Sequence, residues 1–369
     1  MRSLIFCVRL RKGTPARLRR RNPSRVTGET NGPSTFVSMS EIANSTRDYE
    51  PLVSVVMPVK NGMPYLAEAV ESILAQTLSD FEFIIVDDGS TDETTLILES
   101  FAAEDGRIRV CPAKGAGLVD ALNTGVAAVR GKYIARMDAD DVARSDRFAK
   151  QVAFLESHPD HAAVGTGTLL IDPSGNPIEE IAEALDHDDV LARLLRGYTV
   201  LCHPTVLLRT QAVQESGAYS KNHECSEDYE LYLRLSDRWK LAVLGETLMH
   251  YRIHLASVTN QYRDLQLSRK RQALEEAWER RGLPAAELDY ALPSDPPTQI
   301  QLRRRWIRKA FRSGYYATAW KHSRCLLREE PLSRENWGLA IRSLVCYATG
   351  RTVKLKLEAT PLDKASARF

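Results

Sequence analysis

The sequence predicts an α/β fold: a mostly parallel sheet flanked by helices, followed by a C-terminal helical extension. Three observations carry this. Short, nearly continuous apolar runs at 52–57, 81–86 and 133–135 read as strands covered on both faces, because a strand with one wet face alternates instead. The stretches between them repeat apolar residues at helical spacing, as in Leu66, Ala69, Val70, Ile73 and Leu74. Strand alternating with helix implies right-handed crossovers and parallel pairing. Beyond about residue 260 only helical patterns remain.

In order, the strand at 52–57 gives way to the loop Pro58-Val59-Lys60-Asn61-Gly62, then to the helix just named. Phe81 to Val86 is a second strand, closed by Asp87-Asp88-Gly89-Ser90. Thr91-Asp92-Glu93 opens the next helix, with Ser90 or Thr91 as cap. A short strand at 108–110 and a helix at 117–129 lead to Tyr133-Ile134-Ala135, which runs straight into Asp138, Asp140 and Asp141. A helix at 145–156, a strand at 162–171, a turn at 172–177 and a strand at 206–208 follow. A helix at 227–235 begins with Glu227-Asp228, and one or two strands at 241–251 end in Tyr251-Arg252-Ile253-His254. The extension reads as helices at 261–281, 301–314, 315–330 and 333–350, with a linker marked by Pro284 and Pro293 to Pro297. Its small and aromatic residues are loosely spaced like a tetratricopeptide hairpin, over too short a length for an array.

Ligands of open parallel sheets sit at the carboxyl ends of the strands. Both acidic clusters, Asp87-Asp88 and Asp138 to Asp141, fall there and are expected to face one cleft. Carboxylates gathered at a buried strand end repel one another unless a cation or a set of donors offsets them, and a divalent metal with oxygen ligands would do so. A solvated turn or a helix cap is the alternative reading, since Asp favours both.

At 369 residues and 43% hydrophobic composition the chain has material for about two or three domains. The expected division is a basic N-terminal extension at 1–50, an α/β domain at 51–260 and a helical region at 261–369. The net charge of +2 names no partner, although the first 28 residues hold nine Arg or Lys and no acid. That extension reads as disordered. It is taken as an upstream addition with Met39 as the working start; a basic tail for an acidic surface is the other reading. Six scattered cysteines without a Cys-x-x-Cys pair point to reduced thiols in a cytoplasmic protein. No apolar run approaches the ~20 residues needed to span a bilayer.

Four stretches, in order and at matching spacing, resemble family-2 glycosyltransferases of the GT-A fold. They are Val53 to Gly62; Ser72 to Thr77 with Val86 to Asp92; Gly131 to Asp141, which carries an Asp-x-Asp motif; and Ser226 to Leu231, which resembles the family's Glu-Asp motif. The resemblance implies a metal-dependent, inverting transfer of one sugar from a nucleoside diphosphate, with UDP favoured, to a saccharide or lipid-linked saccharide. It implies Mg2+ or Mn2+, with Asp140 as direct ligand, Asp138 as ligand or donor contact and His254 as a further ligand. Asp88 would accept a hydrogen bond from the donor's base, which suits the imide N–H of uracil or thymine. Asp87 is its neighbour or the keeper of a strand-end turn. The backbone of Pro58, Val59 and Lys60 would line base and ribose; Lys60 reaches a phosphate or stands solvated. Arg252 would contact the diphosphate. Asp228 is the expected general base, with favouring of the helix dipole as the alternative. One base and no second carboxylate nucleophile imply single displacement and inversion.

Processive members of that family carry Gln-x-x-Arg-Trp; here Arg305-Trp306 is preceded by Leu302, not Gln, so a single-addition enzyme is expected. His203 is a secondary candidate, and His223 with Cys225 lacks the further ligands of a zinc site. The basic and aromatic residues of 303–316 either lie on an anionic bilayer or pack their aromatic face inward with the cations in water. Rival readings are a polyprenyl-phosphate sugar synthase and an inactive scaffold that binds sugar nucleotides. A Rossmann dehydrogenase lacks its Gly-x-Gly-x-x-Gly, and no nucleic-acid partner is expected.

Overall fold

The computed structural model describes residues 50–255, 262–284 and 297–350; the expectations for 1–49 and for the linker at 285–296 lie outside them. The described residues form nine strands in one sheet and eleven helices. Strand β1 (Val53–Val59) is buried along its whole length between β2 (Phe81–Asp87) and β4 (Tyr133–Arg136), both parallel to it. Strand β3 (Ile108–Pro112) pairs in parallel outside β2.

Alternation along β1 explains why its sequence reads as continuously apolar. Val53, Val55, Met57 and Val59 point to one side, where they meet Leu66, Ala69, Val70 and Ile73 of α1 (Leu66–Leu74) and Phe148 of α4 (Arg147–Ser157). Val56 points to the other, against Leu122 and Val126 of α3 (Leu118–Ala128). The remaining early helix, α2 (Thr94–Glu104), packs beside β3.

The chain builds outward from β1 to β2 to β3, then returns to the opposite side of β1 as β4. That reversal is a topological switch point, and it sets the carboxyl ends of β1, β2 and β4 around one crevice.

Pro58 and Val59 belong to β1, not to the loop the sequence suggests, because pairing with β2 continues to Val59 opposite Asp87. Proline is tolerated there for a local reason. The Val56 carbonyl accepts from Met137 on the β4 side, and Pro58, two residues on, faces that same side after β4 has ended.

Beyond β4 the sheet becomes mixed. It continues through β8 (Leu207–Arg209), β6 (His161–Ile171), β9 (Lys240–Arg252) and the two-residue β5 (Val142–Ala143), with β7 (Pro177–Ile181) on the free side of β6. Strand β9 is one strand, parallel to β6, and it delivers Arg252 beside the β4 loop. Helices α5 (His187–Leu194), α6 (Thr210–Ser216) and α7 (Glu227–Leu235) close the second face. Helix α8 (Arg263–Arg280) puts Ala273, Leu274, Ala277 and Trp278 into the same core as α7.

The last three helices, α9 (Gln299–Arg312), α10 (Tyr316–Glu329) and α11 (Arg334–Thr349), share a separate apolar cluster that includes Ile178 of β7. In α9, Leu302, Trp306, Ile307, Ala310 and Phe311 are buried, while Arg303, Arg304, Arg308 and Lys309 pair with Glu329, Glu330, Glu335 and Glu179. Of the two readings of this basic segment, inward packing of the aromatic face is the one the structure adopts.

Candidate active site

Strand β4 ends in a charged cluster with too few hydrogen-bond donors. Arg136, its last residue, is almost wholly buried and forms an ion pair with Asp138. Burial opposes its charge, yet Asp138 holds its pKa above the usual arginine value. Asp138, Asp140 and Asp141 each present an oxygen, and those atoms lie within 4.8 Å of one another. Asp141 is fully buried: Oδ1 accepts the Arg252 backbone N–H at 2.8 Å, and Oδ2 accepts nothing among the described residues. Burial, then repulsion from Asp140 and Asp138, pushes its carboxyl far above the usual carboxylate range. Burial also raises Asp138, against the pull of Arg136. Asp140 Oδ2 meets His254 Nε2 at 2.8 Å, so strand end and β9 end converge as the sequence suggests.

The sequence reading places Arg252 at the donor diphosphate; the structure buries it under the acidic loop. Its guanidinium donates to the Asp140 carbonyl (2.8 Å) and to Glu68 (2.6 Å), lies 4.6 Å above the Tyr65 ring, and reaches the Asp172 and Pro173 carbonyls at 3.4 Å. These bonds brace the loop and leave it little reach toward a ligand. Asp172 itself is fully buried, and its carboxylate accepts from Lys321 (2.7 Å) and His322 (2.9 Å) of α10, from Asn176 and from the Ser174 N–H.

At the ends of β1 and β2, Asp88 accepts the Gly117 N–H on both oxygens (3.2 and 3.1 Å) and pairs with the exposed Lys60 at 3.3 Å. Gly117 has φ of +92°, a conformation that suits glycine and aims its N–H from the start of α3 at the carboxylate. A carboxylate has about four lone-pair sites, so Asp88 keeps acceptor capacity for a ligand. Asp87 accepts from the Ser90 N–H (2.9 Å) and Thr95 Oγ1 (3.0 Å), a strand-end turn. Asn61 ties the two loops together: its N–H donates to Ser90 Oγ, and its side chain accepts the Thr91 N–H.

Glu227 and Asp228 open α7. Asp228 accepts the Tyr229 N–H at 2.7 Å, and Glu227 Oε2 is buried with no hydrogen-bond partner among the described residues. Burial and then Asp228 push Glu227 up to about 8; burial also raises Asp228. Arg136 pulls both down while it also acts on Asp138 and Asp141, so one buried cation bears on both carboxylate groups. Two participants escape sequence reasoning. Arg136 was visible as a charge inside a strand. Lys270 of α8 gave no signal: it is buried 4.9 Å above the Tyr229 ring, and burial brings it down to about 8 against the pull of Asp228. His203 bonds Tyr219 Oη at 3.0 Å, both rings buried, which is a structural contact. His223 pairs with Glu276 at 3.1 Å, and the three aspartates form the one metal-capable group among the described residues.

The sequence pattern of Glycosyl transferase family 2 matches residues 54–216. The O-antigen biosynthesis glycosyltransferase WbnJ of Escherichia coli is 32% identical over 209 residues, which are 55% of this chain and 80% of WbnJ. EpsE of Bacillus subtilis, which carries a provisional glycosyltransferase name, is 37% identical over 188 residues. That alignment takes in 50% of this chain and 66% of EpsE, so the chain spans just under two thirds of that relative. Among solved structures, Staphylococcus aureus TarS 1–349 in complex with UDP-GlcNAc aligns over 84% of this chain and 95% of its own, with 18% identity and a TM-score of 0.49. On the motifs, the sheet order and the sequence relatives together, the chain belongs to glycosyl transferase family 2.

Proposed function

We propose that the chain transfers a single sugar, with inversion, from a nucleoside diphosphate donor to a hydroxyl of a saccharide or lipid-linked saccharide, and that a divalent cation assists. The observation that carries the reading is the three-aspartate cluster at the switch point. An all-oxygen set with one buried, unpartnered carboxylate oxygen and an adjacent imidazole fits a hard cation such as Mg2+ or Mn2+. Asp138, Asp140 and His254 would hold it, with Asp141 beneath. When bound, the ion offsets charge on the departing diphosphate.

The chain's own residues supply the rest. Asp88 and the ends of β1 seat the nucleoside, with UDP favoured because uracil offers an N–H to a carboxylate. Arg252 keeps the acidic loop in place from below. Asp228, desolvated at the start of α7, takes the acceptor's proton as its oxygen attacks the anomeric carbon and the bond to the diphosphate breaks. Glu227, pushed up to about 8, and Asp228, also raised by burial, titrate as one pair rather than as two independent acids.

The test is product formation from a panel of UDP-, GDP- and dTDP-sugars with Mn2+, with Mg2+ and with a chelator. Turnover with one donor, lost with the chelator and in Asp140→Ala, is the expected result. Metal-independent turnover would remove the cation from the reading. Donor binding without turnover would leave the scaffold reading in its place, and no binding of any sugar nucleotide would remove both.

A further inference from the structure

The sequence offers α9 as the helix for a membrane, but its apolar face is buried and several of its cations are paired. The exposed apolar surface lies on α11. Trp337, Ile341, Leu344 and Val345 fall at successive helical spacings and are 50, 58, 43 and 40% exposed; Leu332, just before the helix, is 94% exposed. The other face of α11, with Asn336, Leu339, Ala340, Ser343 and Cys346, is buried in the bundle. A helix packed on one face normally turns polar residues to water on the others. A contiguous apolar stripe there marks an interaction surface.

Cations lie on the same two helices, with Arg334 one turn before Trp337 and with Arg324 and Arg328 beside Tyr347 of α11. Arg324 and Arg328 of α10 and Arg334 of α11 are exposed and form no ion pair among the described residues. The nearby acids Glu329, Glu330 and Glu335 are all taken by arginines of α9. A shallow cavity of about 270 Å³ lies between α10 and Tyr347, lined by Trp320, Lys321, Arg324 and Arg328.

We propose that this face docks on an anionic phospholipid surface. The stripe enters the boundary between headgroups and acyl chains, and the arginines meet headgroup phosphates. Apolar insertion joined to basic attraction is the pairing that gives peripheral binding, since either alone is weak. A second copy of the chain is the less favoured occupant. A two-fold pairing of the stripe would bring each copy's arginines near the same arginines of its partner, with the nearby acids already engaged. Among the described residues no helix is long and apolar enough to cross a membrane, so this surface is of the kind that rests on one.

The experiment is co-sedimentation of the full chain with vesicles of phosphatidylcholine alone and of phosphatidylcholine with phosphatidylglycerol, beside sedimentation velocity without lipid. The expected result is binding to the phosphatidylglycerol vesicles that weakens with salt. It should be lost in Ile341→Glu with Leu344→Glu, and fall roughly thirtyfold in Arg324→Ala with Arg328→Ala. All four positions face solvent, and an unchanged melting temperature confirms that the variants fold. Absence of vesicle binding, or binding unmoved by both variants, overturns the proposal. Self-association abolished by Ile341→Glu, without vesicle binding, also overturns it and assigns the stripe to a second copy.

Discussion

Two fully buried aspartates lie on either side of Arg252 and live in opposite circumstances. Asp172 has its carboxylate saturated by Lys321, His322, Asn176 and the Ser174 N–H, and those donors hold its pKa well below the usual range against the cost of burial. Asp141 has one backbone N–H, an unpartnered second oxygen and two like charges beside it, and its pKa stands far above that range. A saturated carboxylate is architecture: it joins α10 of the helical extension to the loop after β6. An unsaturated one is a vacancy in the hydrogen-bond inventory, and such a group calls for an explanation. Glu227 shares the unpartnered oxygen, and burial raises Asp138 and Asp228 as well, although Asp138 keeps its ion pair with Arg136. On the proposed function, the desolvated carboxylates short of donors belong to the site, while donor-rich Asp172 belongs to the scaffold.

The largest effect that tests this contrast is expected at Asp228. Asp228→Asn should lower turnover by about 10²–10⁴-fold, the usual worth of a positioned general base, while sugar-nucleotide binding by calorimetry stays within twofold or so of the parent. Unchanged turnover would mean that desolvation alone does not mark function. At Asp172 the loss should be in stability. Asp172→Ala leaves buried His322 and the Asn176 and Ser174 N–H groups without their acceptor and is expected to cost about 1–3 kcal/mol in urea unfolding. The smallest effect separates the two aspartates most cleanly. With a chelator present, Asp141→Asn should leave the urea midpoint unchanged or raise it slightly, because it removes a charge that folding has to desolvate. A large destabilisation there would show Asp141 to be architecture as well.

Acid gives a further way to sharpen the comparison. The carboxyl of Asp172 is depressed on folding, so the stability it contributes is complete above its unfolded pKa of about 4. That contribution is lost as pH falls toward the folded value. The urea midpoint of the parent chain should therefore drop below about pH 4 more steeply than that of Asp172→Asn.

Much of the fold was legible because β1, β2 and β4 are short apolar runs, the last two leading into acid, and because α1 and α7 keep a clean helical period. The structure brings Asp140 and His254 together, and buried Arg136 acts on both Asp138 and Asp228. What stayed hidden has identifiable causes. Two-residue β5 and half-polar β7 carry too few residues for a period, and they form by pairing with β9 and β6. Pro58 looked like a loop residue because a missing N–H is harmless only where the neighbouring strand has stopped, and that is a fact of tertiary structure. Arg252 read as a ligand contact because sequence shows a cation near a site but not which acceptors surround it. Lys270 lies on a helix beyond the expected α/β boundary, so nothing near it in sequence announced Asp228.

The pairing of β9 with β6 also bears on time. The Asp141 carboxylate receives its hydrogen bond from a backbone N–H 111 residues later in the chain, and Asp140 meets His254 across 114. Contacts so distant in sequence close late, after loop-closure entropy has been overcome by nearer ones. During synthesis the acidic motif leaves the ribosome long before its brace exists, and β1 to β4 can associate while that loop is still open. Competence to bind is therefore expected as one of the last events of folding, and a refolding chain should regain its helices before it regains its ligand.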